Sequence, residues 1–533
     1  MSLSTENVFL KPNVVFEPLC NQWYAWSCLV SPATAAMFIA NSHLKIMQSF
    51  VDAPQVHISA LKNPAMIGGP FINYRTDKVP DIKSLAALTM KEQAHMLEFA
   101  DAVKHLNKVL STEPNGGSLE PFYEKVPPAL KGYVELVYDL NNHPSIRFIE
   151  GLLYQSPYAT ESAQSVNLSL NGNGERSFAF STPILEDDAR LTLKIPFKHE
   201  GLDDLFRMKE VPQPFDSIRE KLGIENKDAA LFSTFFTEAP PRKRASDLNA
   251  ALRIRYFGHA CLLFETQNVS ILADPVISYD EPDGIERYTF TDLPDKLDYV
   301  LITHNHQDHC MFETLLQLRH KIQNLIVPKN NGGGLADPSL KLVLQNIGFK
   351  NVIEIDEMET IVVNESVSIT GLPFLGEHTD LNVRSKIAYL LNAHGQSILC
   401  AADSNNIEPQ LYKHIHHAVG DVDVIFIGME CDGAPLSWLY GPLLTQPLAR
   451  KLDQSRRLSG SNYERGIDLI NRFNPKQVYV YAMGQEPWLT YLTSIKYTDQ
   501  STPIVESNKL VEDCRRRGLE SERLFGQKEI TWA

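Results

Sequence analysis

The sequence predicts an α/β protein in two parts: a mixed α/β N-terminal domain over residues 1–245, and a C-terminal domain over 246–533 in which strands and helices alternate. Three observations carry that expectation. With 533 residues the chain is long for a single core. From Asp247 onward, short apolar runs of strand character are separated by segments with helical spacing. One of those runs, 299–302, leads straight into Thr303-His304-Asn305-His306-Gln307-Asp308-His309, a burst of metal-binding side chains at a strand end.

Taken in order, the N-terminal half offers structure but no catalytic string. Residues 23–40 are the most apolar early run, broken by Ser27, Ser31, Pro32 and Thr34, which suits a buried strand–helix unit rather than a membrane span. Residues 84–110 read as helical, with Leu88, Met96, Leu97, Phe99, Val103 and Leu106 at largely helical spacing, and Thr89 with Glu92 forms a capping box if a second helix starts there. Segments 178–180 and 191–195 alternate like strands, and Asn-Gly-Asn-Gly at 171–174 is turn chemistry. The run 239–245, with paired prolines and three basic residues, is the best linker.

In the C-terminal half, 254–265 and 269–273 read as strands, followed by the strand at 299–303. Phe312, Leu315, Leu316, Arg319 and Ile322 suggest a helix leading to a strand at 324–327. Short strands follow at 352–355, 360–363, 367–370, 387–391, 397–400, 422–427 and 477–481. Two packed sheets covered by helices fit this order.

The bulk chemistry narrows the partners. A net charge of −15 argues against a general nucleic-acid binder, because phosphate binding wants a basic surface. Seven cysteines without CxxC spacing read as reduced thiols. The first seven residues lack the basic and apolar regions of a signal peptide, so the expected location is cytoplasmic, with no membrane partner.

Residues two apart share a face of an extended segment, so His304 and His306 can grip one metal. Asp308 and His309, past a bend, then face a second metal about 3.5–4 Å away. His414, His416 and His417 lie on a helix-like segment and read as surface residues.

The string Thr303-His-x-His-x-Asp-His resembles the signature of the metallo-β-lactamase superfamily, and 254–265 with 269–275 resembles the strands that open that fold. That resemblance names the C-terminal half an αββα sandwich. A closer likeness, covering nearly the whole chain, is to the di-iron β-hydroxylases of the chloramphenicol-biosynthesis type, which act on an amino acid tethered to a peptide synthetase. In ordinary superfamily members a histidine on a later loop completes the first metal; here Glu377 and His378 stand side by side, and the likeness favours Glu377 as ligand, leaving His378 as a neighbouring pocket residue. By the same likeness Asp403, ending the strand at 397–400, is the carboxylate that bridges both metals. A hydrolase would need one more histidine at the end of a late strand, yet no histidine follows His417.

The implied ligand set is therefore His304, His306, Asp308, His309, Glu377 and Asp403, and its oxygen donors favour iron or manganese over zinc. Asp274 would hydrogen-bond a ligand histidine or simply make a turn before Pro275. Glu430 is a third catalytic carboxylate beside Glu377 and Asp403, or a residue at the edge of the core. Trp438 and Tyr440 either wall a substrate pocket or pack in the core. The resemblance implies two iron ions, dioxygen as co-substrate and an external electron donor. It also implies a synthetase carrier domain as partner, a homodimer, and an N-terminal domain serving dimerisation and carrier docking. The competing readings are a dizinc hydrolase of a lactone, thioester or phosphodiester, and a non-catalytic descendant stapled by metal.

Overall fold

The computed structural model describes residues 7–171, 176–242, 248 and 250–533. The boundary expected at 245/246, the end of the linker, the glycines at 172 and 174 and the first six residues lie outside them.

In the N-terminal half, strand Val14–Cys20 is buried along its whole length and pairs antiparallel with Gln164–Leu170 and with Trp23–Tyr24. Leu191–Leu193 completes this four-stranded sheet. The run at 23–40 is the expected buried strand–helix unit: strand Trp23–Tyr24, helices Ser27–Val30 and Pro32–Phe38, then a π-helical segment Ile39–His43. Among the described residues no helix is long and apolar enough to cross a membrane. All seven cysteines are free thiols.

Two local expectations are corrected. The helical stretch at 84–110 is two helices, Val79–Glu92 and Ala94–Thr112, separated at Gln93, whose φ and ψ of −104° and 21° leave the helical region. Thr89 is buried inside the first helix and caps nothing; the second helix has no side-chain cap. The alternation at 178–180 belongs to a turn, closed by Ser181 N–H on Phe178 O, rather than to a strand. Phe178 and Phe180 share a side because both rings pack on Trp438, with centroids 5.9 and 5.6 Å away.

The C-terminal half is a sandwich of two seven-stranded sheets. The first runs Val352–Ile355, Ile322–Pro328, Leu297–Leu301, Ser270–Ala273, Leu262–Glu265, Leu252–Tyr256, Lys528–Trp532. The second runs Thr360–Asn364, Val367–Leu372, Ala388–Ala393, Gln396–Cys400, Val424–Gly428, Gln477–Tyr481, Glu520–Arg523. The stretch 254–265 is thus a hairpin, not one strand: Gly258 at φ 107° and His259 at φ 51° turn the chain between its two arms. Inward-facing residues of both sheets, including Ile254, Leu301, Ile369, Tyr389 and Phe426, form one core. Helices Pro409–Val419, Tyr463–Phe473 and Thr502–Arg516 contribute buried residues to a second apolar layer outside the second sheet. His414 and His417 are exposed on the first of these, and His416 pairs with Asp421.

Over the first sheet the covering layer is shared between the halves. Helix Phe312–Leu318, buried along its length, packs against helix Glu200–Arg207 and strand Val14–Cys20 of the N-terminal half. Its Glu313 accepts hydrogen bonds from the hydroxyls of Tyr24 (2.8 Å), Tyr279 (2.8 Å) and Tyr491 (3.0 Å) and a forked pair from Arg176 at 2.9 and 2.7 Å. Arg176 also reaches Glu17. Six residues from both halves thereby satisfy one another's charge and polarity, as burial requires.

Removing the acceptor should be far costlier than neutralising it. Glu313→Ala leaves Arg176 without its main counter-charge and removes the acceptor of three hydroxyl protons, and should cost about 3–5 kcal/mol. Glu313→Gln should cost less. Urea unfolding compares them; a midpoint unchanged in the alanine variant would contradict this account of the interface.

Candidate metal centre

The site sits where the first sheet's strands end and loops of the second sheet meet them. Parallel pairing sets Ala273 opposite Leu301, so Asp274 and the loop beginning at Ile302 leave the sheet side by side. Asp274, buried and at φ 39°, accepts from Thr303 N–H at 2.8 Å, from the Thr303 hydroxyl at 2.6 Å and from His309 Nδ1 at 2.8 Å. It is therefore the neighbour of a site histidine, and a carboxylate on Nδ1 leaves His309 Nε2 facing the site. His309 Nε2 lies 3.1 Å from Asp403 Oδ2, and His304 Nε2 lies 3.8 Å from the same oxygen.

His306 turns its Nδ1 to Glu377 Oε1 at 3.0 Å and to His304 Nε2 at 3.2 Å. Its other nitrogen faces the Tyr440 hydroxyl at 3.1 Å, and that hydroxyl also lies 2.6 Å from His378 Nδ1. Of the two neighbours on the later loop, Glu377 joins the donor set of His304 and His306, while His378 turns Nδ1 to Tyr440, its ring centroid 4.6 Å from that of His306. Glu377 adopts φ 64° directly after Gly376 at φ 83°, a left-handed pair of residues that turns the carboxylate inward.

Three overlapping sets of donor atoms result, each within 4.8 Å of one another: His304–His306–Glu377, His304–His309–Asp403 and His259–Asp308–His309. All six ligand candidates read from the sequence fall in these sets. His259 was not among them. It occupies the hairpin turn, its Nδ1 accepts from Gly484 N–H at 3.1 Å, and its Nε2 lies 3.3 Å from Asp308 Oδ2. The late strand that carries no histidine thus contributes backbone instead: Ala482 N–H holds His259 O and Gly484 N–H holds its ring. A histidine after a glycine at the first hairpin was the available signal, but only the fold brings that turn to the metal loop.

A cavity of about 290 Å³ opens on these groups. Glu430 and Trp438 line it, with Leu439, Met483 and Ile495 as apolar wall; Tyr440 does not. Glu430 accepts from the Tyr497 hydroxyl at 3.2 Å, and burial pushes its carboxyl up to about 7.

The electrostatics split the histidines. Burial pulls His304 and His378 well below the ordinary imidazole range and His306 down to about 4, so all three are neutral at physiological pH. Burial also disfavours charge on His309, but Asp403 and Asp274 outweigh it and raise this imidazole well above 6.5. Asp308 is held below the usual carboxylate range: burial raises it, and the hydrogen bond from His259 with the charge of His309 more than offsets that. Glu377 is raised well above its ordinary value by burial, then by Asp403 and Asp308.

These shifts set the acid response of metal-free protein. Below about pH 6.5 the unfolded chain protonates histidines that the folded chain keeps neutral, so stability should fall as pH drops from 6.5 toward 4. His309 adds nothing to that slope, because its contribution is complete below 6.5 and is lost only as pH rises through its elevated value. In chelator-treated protein, His378→Asn should flatten the fall by about 1.4 kcal/mol per pH unit. Urea titrations at pH 6.5 and 5 measure it; an unchanged slope would mean that His378 is not held neutral.

Comparisons with known proteins agree with this geometry. Residues 9–240 match the family model described as the diiron non-heme beta-hydroxylase N-terminal domain, and 270–438 match the beta-lactamase superfamily domain. The 4-amino-L-phenylalanyl-[CmlP-peptidyl-carrier-protein] 3-hydroxylase of Streptomyces venezuelae is 39% identical over 531 residues, 98% of this chain and 99% of that protein. The crystal structure of CmlA, a diiron beta-hydroxylase from the same organism, superposes with a TM-score of 0.92 at 38% identity, covering 99% of this chain and all of that one. The CmlA E377D mutant superposes at 0.90, with 38% identity and coverage of 98% and 100%. The resemblance read from the metal loop is borne out: the chain belongs to the diiron β-hydroxylase family, with an N-terminal α/β domain ahead of a metallo-β-lactamase-like sandwich.

Proposed function

We propose that this enzyme uses two iron ions and dioxygen to hydroxylate the β-carbon of an amino acid carried as a thioester on a peptidyl carrier domain of a nonribosomal peptide synthetase. The observation that carries the reading is the carboxylate Glu377, 3.0 Å from His306, on the loop where hydrolytic superfamily members supply a histidine. The substrate class follows from the relative, whose name specifies an amino acid on a peptidyl carrier protein.

The residues present fit two ions. His304 belongs to two of the three donor sets and His309 to two, which links them in a chain, and Asp403 Oδ1 is buried without a hydrogen-bond partner among the described residues. His304, His306 and Glu377 would hold one ion, Asp308 and His309 the other, and Asp403 would serve both. His259, which accepts at Nδ1 from Gly484 N–H and sets Nε2 3.3 Å from Asp308 Oδ2, would position Asp308. When bound, the iron pair supplies the redox chemistry by which one atom of dioxygen enters a C–H bond and the other leaves as water, with two electrons from an external donor.

The chain's own groups handle position, water and protons. Tyr440 fixes His306 as Asp274 fixes His309. Trp438, Leu439, Met483 and Ile495 form the apolar side of the cavity, opposite the metal-binding groups. Glu430, titrating at about 7 and lining the cavity, can give or take a proton at its carboxyl. We bound the N-terminal domain at 245/246 and assign to it carrier docking and the contacts of a homodimer.

Protein from iron-replete cells should contain about two irons per chain, by metal analysis, with near-ultraviolet absorption that bleaches on reduction. Glu377→Ala should lose iron or its oxygen reactivity, whereas His378→Ala should keep the cluster. Asp403→Ala should lower occupancy of both ions, and Asp274→Ala should weaken iron binding about 10–100-fold. Two zincs with zinc-dependent hydrolysis would defeat the oxygenase reading.

The reduced enzyme should react slowly with dioxygen alone or with free amino acid, and orders of magnitude faster with the amino acid loaded on its carrier, because docking energy far from the reacting carbon serves orientation. Single-turnover mixing with product analysis decides. Equal rates and products from the free amino acid would remove the carrier from the mechanism.

A further inference from the structure

The loop that carries Glu377 is held in a conformation its own residues disfavour. Gly376, Glu377, Thr379 and Asp380 have φ of 83°, 64°, 54° and 59°. That region suits glycine, and a β-branched residue such as threonine is an outlier in it. Thr379 is buried, and its hydroxyl has no hydrogen-bond partner among the described residues. The chain also passes close to its neighbour here, since a Cβ on Gly376 would come within 2.5 Å of Asn405 Cβ. A run of this kind persists only where its surroundings over-determine it.

Two cations from outside the loop grip its carbonyls. Lys386 Nζ donates to Gly376 O at 2.9 Å, one residue ahead of Glu377, and Arg456 Nε donates to Thr379 O at 2.7 Å. Bonds from an ionised donor are stronger than neutral ones. The two cations differ in what they stand on. Arg456 belongs to the cavity side, where its own carbonyl takes Leu436 N–H at 2.8 Å at the start of the helix Leu436–Tyr440. Lys386 stands on the metal loop itself. Its backbone forms an antiparallel bridge with His304, and the N–H of Ile387, the next residue, donates to Thr303 O at 2.7 Å. The two residues before it are fixed as well: Arg384 and Ser385 donate their N–H groups to the buried carboxylate of Asp337 at 2.9 and 3.2 Å. Among the described residues Lys386 forms no ion pair, and Gly376 O is the partner of its ammonium.

We propose that Lys386 is a positioning residue, a strut between the two ligand-bearing loops that sets the Glu377 carboxylate against His304 and His306. The assignment rests on Glu377 as a metal ligand, as proposed above, and adds the group that decides where its carboxylate points. With the strut in place, the left-handed turn at Gly376 and Glu377 is tied to the same backbone that carries His304. Without it, Arg456 holds only the far end of the loop. The near end is then free to relax toward ordinary φ, which swings the carboxylate away from His306.

The test is titration of cobalt(II), whose visible absorption reports the geometry of its ligands, into the chelator-treated full chain. Lys386→Met keeps the apolar stem and removes the donor. It should weaken cobalt binding about tenfold or more, the usual effect of losing a group that orients a ligand, and shift the spectrum toward that of Glu377→Ala. The double variant should bind no more weakly than Glu377→Ala, because the strut acts through Glu377. Urea midpoints of the metal-free wild type and Lys386→Met should coincide. Wild-type affinity and spectrum in Lys386→Met would overturn the strut. So would a double variant weakened by the full product of the two single effects, or an affinity loss matched by a lower urea midpoint. Lys386→Gln, which also withdraws the ammonium, carries the same expectations should Lys386→Met not fold. Cobalt reports the placement of Glu377 whichever reaction the enzyme performs, so zinc-dependent hydrolysis would defeat the proposed function and leave the strut standing. Hydroxylation of carrier-bound substrate with an unaltered Lys386→Met spectrum would do the reverse.

Discussion

The geometry of the site depends on one buried carboxylate. Asp274 stands just past the strand Ser270–Ala273, and its two oxygens hold the first residue of the metal loop by backbone and hydroxyl and the loop's last histidine by its ring. Its own N–H is tied to Leu301 O. Two adjacent strand ends are thereby locked to each other and to His309 through a single side chain. A loop rich in histidine has many rotamers to lose, and a charge-assisted bond to a rigid sheet is a direct way to restrict them. The cost is a buried charge, and His309 meets it by favouring its protonated form where no metal balances the carboxylates.

Much of this was legible in the chain, and the limits have physical causes. Strands such as Ser270–Ala273 and Val424–Gly428 announce themselves because both faces are buried, which makes a short, mostly apolar run. The metal loop is legible because its donors are contiguous. His259 is not, since it lies 49 residues from Asp308 and joins it only once the hairpin and the loop share one end of the sheet. The phenylalanines at 178 and 180 alternate as a strand would, but their common partner is Trp438, more than two hundred residues later, and that contact chose a turn. Thr89 illustrates the opposite case: a correct capping pattern is overridden when the helix continues through it into a buried face. The choice between Glu377 and His378 rests on likeness in the sequence; in the fold Glu377 joins the donor set of His304 and His306, and Tyr440 takes one nitrogen of His378.

The π-helical segment and the glycine at 68 were invisible at the sequence level for a related reason. Each is packed on by residues distant in the chain or outside the segment: Trp438 and Ser494 at Gly68, and Trp23, stacked on His43, at Ile39–His43. Local propensity carries no information about such approaches, which the packing of two halves creates.

That packing bears on how such a chain can change over evolutionary time. The Glu313 cluster draws its members from positions 17, 24, 176, 279, 313 and 491, so any single cut in the gene between 24 and 491 parts the acceptor from at least one donor. One apolar cluster likewise runs from Val8 to Leu458 without a seam. Exchange of whole halves between distant relatives would part Glu313 from Arg176 and Tyr24 unless these positions travelled together. New substrate preferences in this lineage are therefore expected to arise from point changes along cavity walls rather than from the shuffling of modules that builds the synthetases themselves.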